Sequence, residues 1–318
     1  MASRILVTGA AGQIGSELVP ALRAAFGEDE VIATDIKDAP AELVQAGPWQ
    51  SLDCTDSDVV AEAVSTHRVG VIYHLAALLS AVAEHKPALA FEVNLGGLYN
   101  VLEVAREARC AVFTPSSIAA FGPETPPDPT PQVTIQRPTT MYGVTKVAGE
   151  LLCDYYHTRF GVDTRGLRYP GLVSYVTAPG GGTTDWAVDI FRSAVRDGTY
   201  TCFLAEGTQL DMMYMPDALR AAMELMSADA SRLVHRNAFN VTAMQLTPER
   251  LAAAIAEYVP GFSIEYDVDS VRQGIAESWP RRIDDTAARE EWGWRPEYDM
   301  NAMTRDMIEK LLARQPTI

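Results

Sequence analysis

Long hydrophobic runs and an excess of basic residues are both missing from this sequence of 318 residues. No stretch of about 18 consecutive apolar residues occurs, so the sequence predicts no transmembrane span. The 26 basic residues are outnumbered by 42 acidic ones, which gives a formal net charge of −16. Nucleic acids and anionic membranes attract positively charged proteins, so neither is the expected partner.

Disulfide and metal-binding patterns are absent as well. The four cysteines are far apart with no CxxC pair, and the five histidines show neither HxxxH nor HExxH spacing. We therefore expect no metal site, and reduced thiols as in a cytoplasmic protein. The first strand-like run starts at Arg4, which leaves no room for a signal or transit peptide ahead of it and also favours the cytoplasm.

Strand-like and helical patterns alternate through the first half of the chain. Short apolar runs separated by helical spacing predict strands at 4–8, 31–35, 49–53, 71–75, 111–116 and 163–168. Long helices are expected from about Pro87 to Arg109 and over 139–160. Such alternation is typical of an α/β fold, here a Rossmann-type doubly wound parallel sheet covered by helices on both faces.

The pattern changes after Arg168. Short strands such as "YTCFL", "DMMYM", "AFNVT" and "FSIEYDV" follow, with helices at 216–227, 247–258 and 299–314, which predicts a smaller C-terminal α+β lobe. Five prolines within 123–132 predict an irregular surface loop. We predict a dinucleotide-binding domain over 1–170, to which elements near 212–243 return, and a mainly substrate-binding lobe over 171–318.

A glycine-rich loop follows the first predicted strand. In "VTGAAGQIG", Gly9, Gly12 and Gly15 stand between that strand and a helix. Glycines let the backbone approach a pyrophosphate, whose charge faces the amides at the start of the helix. The same trio also fits a plain tight turn between a strand and a helix.

An acid at the end of the second strand favours a dinucleotide. Asp35 follows Gly15 by twenty residues, where a carboxylate can bind the ribose hydroxyls of adenosine. A negative charge there repels a 2′-phosphate, so NAD is favoured over NADP, although Lys37 stands close by. Asp53 ends the third predicted strand, where it fits either a contact to the adenine amino group or the N-cap of the next helix.

A tyrosine and a lysine lie one helical turn apart in "YGVTK". On a helix, the phenol of Tyr142 and the ammonium of Lys146 share one face. The pKa of a free tyrosine is about 10, and a neighbouring cation lowers it. Such pairs also arise on helices by chance. Here the pair follows a strand ending "PSS", whose Ser117 adds a hydroxyl, so the set predicts acid/base chemistry on an alcohol beside a nicotinamide.

Several segments together resemble the extended short-chain dehydrogenases of the NAD-dependent epimerase/dehydratase family. They are TGxxGxxG, Asp35, "HLAA" (74–77), "VNLGG" (93–97), "SSIAAFG" (116–122) and "YGVTK" (142–146). The resemblance implies that Ser117 polarises the substrate oxygen and that Tyr142 is the acid/base. Lys146 would bind the nicotinamide ribose and lower the pKa of Tyr142. The implied NAD contacts are Gly9, Gly12, Gln13, Ile14, Asp35, Ile36, Lys37, Asp53, Cys54, Leu75, Ala76, Ala77, Asn94, Tyr142, Lys146, Tyr169 and Leu172.

Longer segments resemble one branch of that family, the short-chain L-threonine 3-dehydrogenases. They include "RPTTMYGVTKVAGELL", "GVDTRGLRYPGLVS", "PGGGTTDWAV" and "MMYMPDALRA". This resemblance implies oxidation of the 3-hydroxyl of L-threonine to 2-amino-3-oxobutanoate, a step of threonine catabolism toward glycine. The alternative chemistry is that of a nucleotide-sugar 4-epimerase, although "RYPGLVS" lacks the asparagine usual in that turn. A catalytically silent dinucleotide sensor is disfavoured by the intact Ser–Tyr–Lys set.

A threonine zwitterion needs donors for its carboxylate, acceptors for its ammonium and a polarised hydroxyl. The candidate contacts are Ser80, Ser116, Ser117, Tyr142, the Gly180–Gly182 amides with Gly182 foremost, Thr183, Thr184 and Trp279. Alternatively, Thr183 or Thr184 caps a helix running to about Val195, and Trp279 belongs to the core.

The helix that carries Tyr142 is apolar over more than one face, with Val144, Leu151 and Tyr155 among its side chains. Such a helix is either buried within one subunit or packed on a partner. The family resemblance implies a homodimer, formed through a four-helix bundle of this helix and the one before it.

Overall fold

The computed structural model describes residues 4–178, 180 and 182–314. Its strands are β1 (Arg4–Thr8), β2 (Val31–Asp35), β3 (Trp49–Ser51), β4 (Val69–His74), β5 (Ala111–Ser117), β6 (Thr164–Tyr169), β7 (Gly171–Val173), β8 (Thr199–Cys202), β9 (Leu210–Tyr214), β10 (Phe239–Asn240), β11 (Met244–Leu246) and β12 (Ser263–Tyr266). Its α-helices are α1 (Gly15–Phe26), α2 (Ala41–Gln45), α3 (Ser57–His67), α4 (Ser80–His85), α5 (Pro87–Ala90), α6 (Gly97–Ala108), α7 (Met141–Phe160), α8 (Trp186–Asp197), α9 (Met215–Ser227), α10 (Pro248–Ala256), α11 (Ser270–Glu277), α12 (Thr286–Glu291) and α13 (Met300–Ala313). None of the helices in these ranges is long and apolar enough to cross a bilayer.

A seven-stranded parallel sheet forms the centre of the molecule, in the order β10-β6-β5-β4-β1-β2-β3. The predicted α/β fold with a doubly wound parallel sheet is confirmed. The chain runs outward from β1 to β3 and then restarts at β4 on the other side of β1. Ligands of such sheets bind at the carboxyl ends of the strands that flank this change of direction.

Successive residues of the central strands supply two separate cores. Ile5 and Val7 pack with α1 and α9 on one face of the sheet. Leu6, between them, packs with Ile32 and the helices α3, α6 and α7 on the other face. This alternation follows from the two-residue period of a strand, and it covers both faces of the parallel sheet with apolar side chains.

The second half of the chain builds a third core around smaller sheets. Strands β11-β9-β7 form one sheet and β12-β8 form another. Trp186, Phe191 and Met307 are fully buried there, among residues of α8, α10 and α13. The short strand β10 returns to the main sheet beside β6, and α9 packs on that sheet as well. The division into domains near residue 170 stays a prediction.

Some helix boundaries differ from the sequence-based expectation. The predicted helix from Pro87 to Arg109 is divided, because Phe91–Gly96 forms a π-helix between α5 and α6. Asp56 caps α3 by accepting the N–H groups of Asp58 and Val59, so the N-cap alternative for Asp53 is wrong. The cap alternative for Thr183 and Thr184 is also wrong. Helix α8 begins only at Trp186, with Asp185 in the N-cap position.

The proline-rich segment is irregular, as predicted, and it connects the two halves of the chain. Thr130 donates its N–H to the carbonyl of Arg282 and accepts the N–H of Asp284, both at 2.9 Å. Arg282 also pairs with Asp128 at 2.8 Å. These bonds hold the segment that follows Trp279 against a loop of the first half.

Candidate active site

The glycine loop, Gly9–Gly15, follows the carboxyl end of β1 and has no side chains at its three glycines. Gly9 has a positive φ of 71°. A Cβ on this residue would lie 2.7 Å from the amide nitrogen of Ala76, and one on Gly15 would lie 2.3 Å from the carbonyl oxygen of Gly9. Side chains at either position would therefore disrupt the loop. The unsubstituted loop leads into the amino end of α1, an arrangement that suits the pyrophosphate of a dinucleotide.

Asp35 joins this loop to the end of β2. Its carboxylate accepts the N–H of Ala11 and the N–H of Lys37, each at 3.0 Å. A carboxylate has further lone pairs for ribose hydroxyls. Asp53 lies two residues after the end of the adjacent strand β3 and accepts the N–H and hydroxyl of Thr55. Burial raises the pKa of Cys54 to about 12, so its thiol stays neutral.

The end of β4 forms the next part of the site. Leu75 donates its N–H to the carbonyl of Thr8 at 3.1 Å, which continues the sheet beyond His74. Burial, followed by the charge of Lys146, lowers the pKa of His74 to about 3, so its ring is neutral near pH 7. Asn94 accepts the N–H of Leu78 at 2.7 Å and donates to its carbonyl, which fixes the chain before Ser80.

Tyr142 and Lys146 lie on the first two turns of α7. Thr140 caps this helix by accepting the N–H of Gly143 at 3.1 Å. The ammonium of Lys146 donates to the carbonyl of Pro115 at 2.7 Å and lies 5.4 Å from the centroid of the Tyr142 ring. Ser117 ends β5 two residues after Pro115. The structure thus brings the predicted catalytic residues to the same edge of the sheet.

Most of the predicted site residues line one cleft. Its lining includes Gln13, Ile14, Leu75, Ala77, Ser80, Ser116, Ser117, Tyr142, Lys146, Tyr169, Leu172, Gly182, Thr183, Thr184 and Trp279. Gly9, Gly12, Asp35, Ile36, Lys37, Asp53 and Cys54 lie outside it, on the glycine loop and at the ends of β2 and β3. Ala76 and Asn94 line a second cavity behind the cleft. Trp279 is both buried in the third core and part of the lining.

Three predicted contacts are engaged elsewhere. The hydroxyl of Ser116 donates to Glu150, which lines the second cavity and is not among the described lining residues of the cleft. The hydroxyl of Tyr169 donates to the carbonyl of Ala218 at 2.6 Å, so only the rest of this residue faces the cleft. The N–H of Gly182 donates to Asp185 at 2.6 Å. Gly180 is not among the described lining residues, and Gly181 lies outside the described part of the chain.

Sequence reasoning missed Asp185, Leu79 and Ile118, which also line the cleft. Asp185 is the first acid after "GGGTT", and a zwitterionic substrate needs a negative group for its ammonium. That requirement was the available signal. Leu79 and Ile118 each adjoin a predicted site residue in the sequence, and no polar pattern marks them.

The parallel sheet and the glycine loop are typical of a Rossmann-type enzyme that binds a dinucleotide, and Tyr142 and Lys146 lie together in its cleft. A family model described as the NAD dependent epimerase/dehydratase family matches residues 5–242. The chain belongs to the NAD-dependent epimerase/dehydratase family.

Individual relatives match nearly the whole chain. An uncharacterized epimerase/dehydratase of Staphylococcus saprophyticus is 54% identical over 314 residues, which cover 98% of either chain. The structure of L-threonine dehydrogenase from Clostridium difficile is 55% identical with a TM-score of 0.97, and the match covers 98% of both chains. A monomeric L-threonine 3-dehydrogenase from a metagenome, in its apo form, is 43% identical with a TM-score of 0.94, over 98% of this chain and all (100%) of that one.

Proposed function

We propose that this protein is an NAD-dependent L-threonine 3-dehydrogenase, which oxidises the 3-hydroxyl of L-threonine to 2-amino-3-oxobutanoate. The observation that carries the proposal is the composition of the cleft. Ser117, Tyr142 and Lys146 share it with Asp185 and with the loop residues Thr183 and Thr184. The relatives named as L-threonine dehydrogenases support the choice of substrate.

The reacting hydroxyl is placed between two side chains. Tyr142 accepts the proton of the threonine hydroxyl, and Ser117 donates a hydrogen bond to the same oxygen. Lys146 stabilises the phenolate of Tyr142 through its positive charge. NAD⁺, when bound, supplies the acceptor for the hydride that leaves C3 of the substrate. Gln13 and Ile14 line the cleft from the glycine loop, so the dinucleotide would enter from that side.

The charged end of the substrate fits the opposite side of the cleft. Asp185 offers a carboxylate for the ammonium group, and Ser80, Thr183 and Thr184 offer hydroxyls for the carboxylate. Trp279 and Ile118 supply apolar surface for the methyl group. These assignments are proposals that the lining of the cleft supports.

Replacing the phenol of Tyr142 by a phenyl ring tests its proposed role as the proton acceptor. Tyr142→Phe should lose nearly all turnover, because the variant lacks the proposed proton acceptor, while binding of NAD is retained. The measurement is NADH formation with L-threonine, together with the dissociation constant for NAD. Tyr258→Phe, the same change on the surface of the second lobe, is the control and should keep wild-type activity. Near-normal turnover of Tyr142→Phe would contradict the assignment.

The same assay separates the two chemistries of the family. We expect free NADH from the wild-type protein with L-threonine and none with nucleotide sugars. A 4-epimerase retains its reduced cofactor and releases no NADH. Interconversion of a nucleotide sugar without NADH would therefore favour the epimerase alternative.

The cellular setting follows from the proposed reaction. In this role the protein takes part in threonine catabolism toward glycine. All four cysteines are free and buried, which suits the reducing cytoplasm. We also propose a homodimer through α6 and α7, because these helices expose large apolar side chains, including Tyr99, Leu151 and Tyr155.

A further inference from the structure

Glu150 and Arg168 form an ion pair that is buried directly behind the catalytic residues. The guanidinium donates from Nε to Oε1 at 3.0 Å and from Nη2 to Oε2 at 2.8 Å. The side chains are only 8% exposed for Arg168 and 7% for Glu150. A buried ion pair contributes little net stability compared with well-packed apolar residues, because both charges lose their hydration. Its position therefore points to a purpose other than stability.

The carboxylate of Glu150 is shared by three segments of the site. It accepts from Arg168 on β6, from the hydroxyl of Ser116 on β5, and at 2.8 Å from Gln136, which precedes α7. Glu150 itself lies on α7, one turn after Lys146 and two turns after Tyr142. One group thus connects the catalytic helix to the strand that ends in Ser117.

Two consecutive residues of β5 are tied to two consecutive turns of α7. Pro115 accepts from Lys146 at 2.7 Å, and Ser116 donates to Glu150. Ser117 is the next residue. Glu150 lies one helical turn after Lys146, so the two bonds together resist rotation of α7 about either one and help to set the separation between Ser117 and Tyr142.

We propose that Glu150 is a positioning residue for the reaction. Its carboxylate holds α7 against the end of β5 at the separation at which Tyr142 and Ser117 reach the same substrate oxygen. Glu150 is not among the described residues that line the cleft, so it acts through Ser116 and α7. The inference rests on the proposed dehydrogenase function.

Two variants test the tie, Glu150→Gln and Ser116→Ala. A displacement of about 1 Å between reacting groups costs about 100-fold in rate, so we expect Glu150→Gln to lower kcat about 100-fold. Ser116→Ala keeps the ion pair and loses one hydrogen bond, so kcat should fall about tenfold. Affinity for NAD and KM should change little. The deuterium isotope effect on kcat, measured with threonine deuterated at C3, should rise, because hydride transfer becomes slower relative to product release.

Asp217→Asn provides a matched control. Asp217 is a buried carboxylate on α9 that pairs with Arg220 at 2.8 Å, and it is not among the described lining residues of the cleft. Asp217→Asn should lose about as much stability as Glu150→Gln. Its kcat, corrected for the folded fraction, and its isotope effect should stay at the wild-type values. If folded Glu150→Gln likewise keeps wild-type kcat and isotope effect, the carboxylate is merely structural and the proposal is wrong. If Glu150→Gln does not fold, unchanged kinetics of Ser116→Ala overturn it.

A wild-type protein that does not oxidise threonine would contradict the proposed function. In that case the same variants are measured in the nucleotide-sugar epimerase assay. The epimerase reaction would use the same two residues, Tyr142 and Ser117. An equal loss there supports the positioning role, and unchanged rates overturn it.

Discussion

At the residue scale, the absence of a side chain at Gly143 decides how closely the catalytic helix approaches Ser117. A Cβ at this position would lie 2.2 Å from the carbonyl oxygen of Ala119 and 2.5 Å from Cβ of Pro138. Ala119 belongs to the turn that directly follows Ser117 and donates its N–H to that serine at 3.2 Å. Gly143 is helical, so its backbone conformation alone would accept other residues. The close contact with this turn is what requires glycine.

Gly143→Ala should therefore separate Tyr142 from Ser117. We expect kcat to fall about 100-fold, because reacting groups held about 1 Å too far apart lose that much rate. The free energy of unfolding should drop by about 1–3 kcal/mol from overpacking. Steady-state kinetics and urea unfolding measure the two effects. Gly274→Ala is the control, since a Cβ there meets open space in α11, and its activity should be unchanged. Normal kcat in Gly143→Ala would show that the contact relaxes without cost.

The sequence is informative about which residues gather and less so about where their polar atoms point. The spacing of Tyr142 and Lys146 requires only a helix, so their common face was predictable. The hydroxyl of Ser116 was assigned to the substrate, whereas its partner is Glu150, 34 positions away. Pairings at such distances depend on how helices pack on the sheet, which local patterns do not encode.

At the scale of elements, the strands of the central sheet were predicted because each is a short apolar run between helical patterns. The π-helix at Phe91–Gly96 was not, because a single π-turn inside a helix is held by contacts with other segments and has no local sequence pattern of its own. Its stabilising bonds come from Asn94 to Leu78 and Thr145, and both partners are remote in sequence. The strand predicted at "AFNVT" is present but covers only Phe239–Asn240, which pair with β6.

One buried acid links the stability of the second lobe to pH. Asp211 on β9 accepts the N–H of Ile283 at 2.7 Å and also hydrogen-bonds Thr242 and Gln245. Burial raises the pKa of Asp211 to about 7, above its ordinary value of 3.8. The folded protein therefore holds a proton that the unfolded chain has lost between these two pH values. The stabilising contribution is fully present below pH 3.8 and is lost as the pH rises through 7.

Asp211→Asn removes this dependence while keeping the shape of the side chain. Between pH 5 and pH 8 the wild-type free energy of unfolding should fall by on the order of 2 kcal/mol more than that of the variant. Urea unfolding of both proteins at the two pH values measures the difference. Parallel changes in the two proteins would mean that Asp211 does not titrate in this range.

At the scale of the whole molecule, α6, α7 and the preceding π-helix form one exposed apolar surface. Phe91, Tyr99, Val144, Leu151 and Tyr155 are each 49–63% exposed. An exposed apolar surface of this kind marks a contact site in soluble proteins. The metagenomic relative is described as monomeric, so membership of the family does not decide the oligomeric state.

We expect the wild-type protein to have the mass of two chains in solution. Leu151→Arg should reduce that mass to one chain, because it places an unpaired charge in an apolar interface. Size-exclusion chromatography with light scattering measures both masses. Val271→Arg introduces the same charge at an exposed position of α11 and should stay dimeric. A wild-type mass of one chain at micromolar concentration would contradict the dimer.

The π-helix before α6 restricts where residues can be inserted or deleted during evolution. Each residue of a helix rotates the next by about 100°. Deleting one residue from Phe91–Gly96 would turn the two flanking helical pieces against each other by that angle. Either Asn94 would leave Leu78, or Leu98 and Val101 would leave the core. Insertions and deletions in this stretch should therefore be rare among homologues that keep the same cleft, even where the side chains themselves are exchanged.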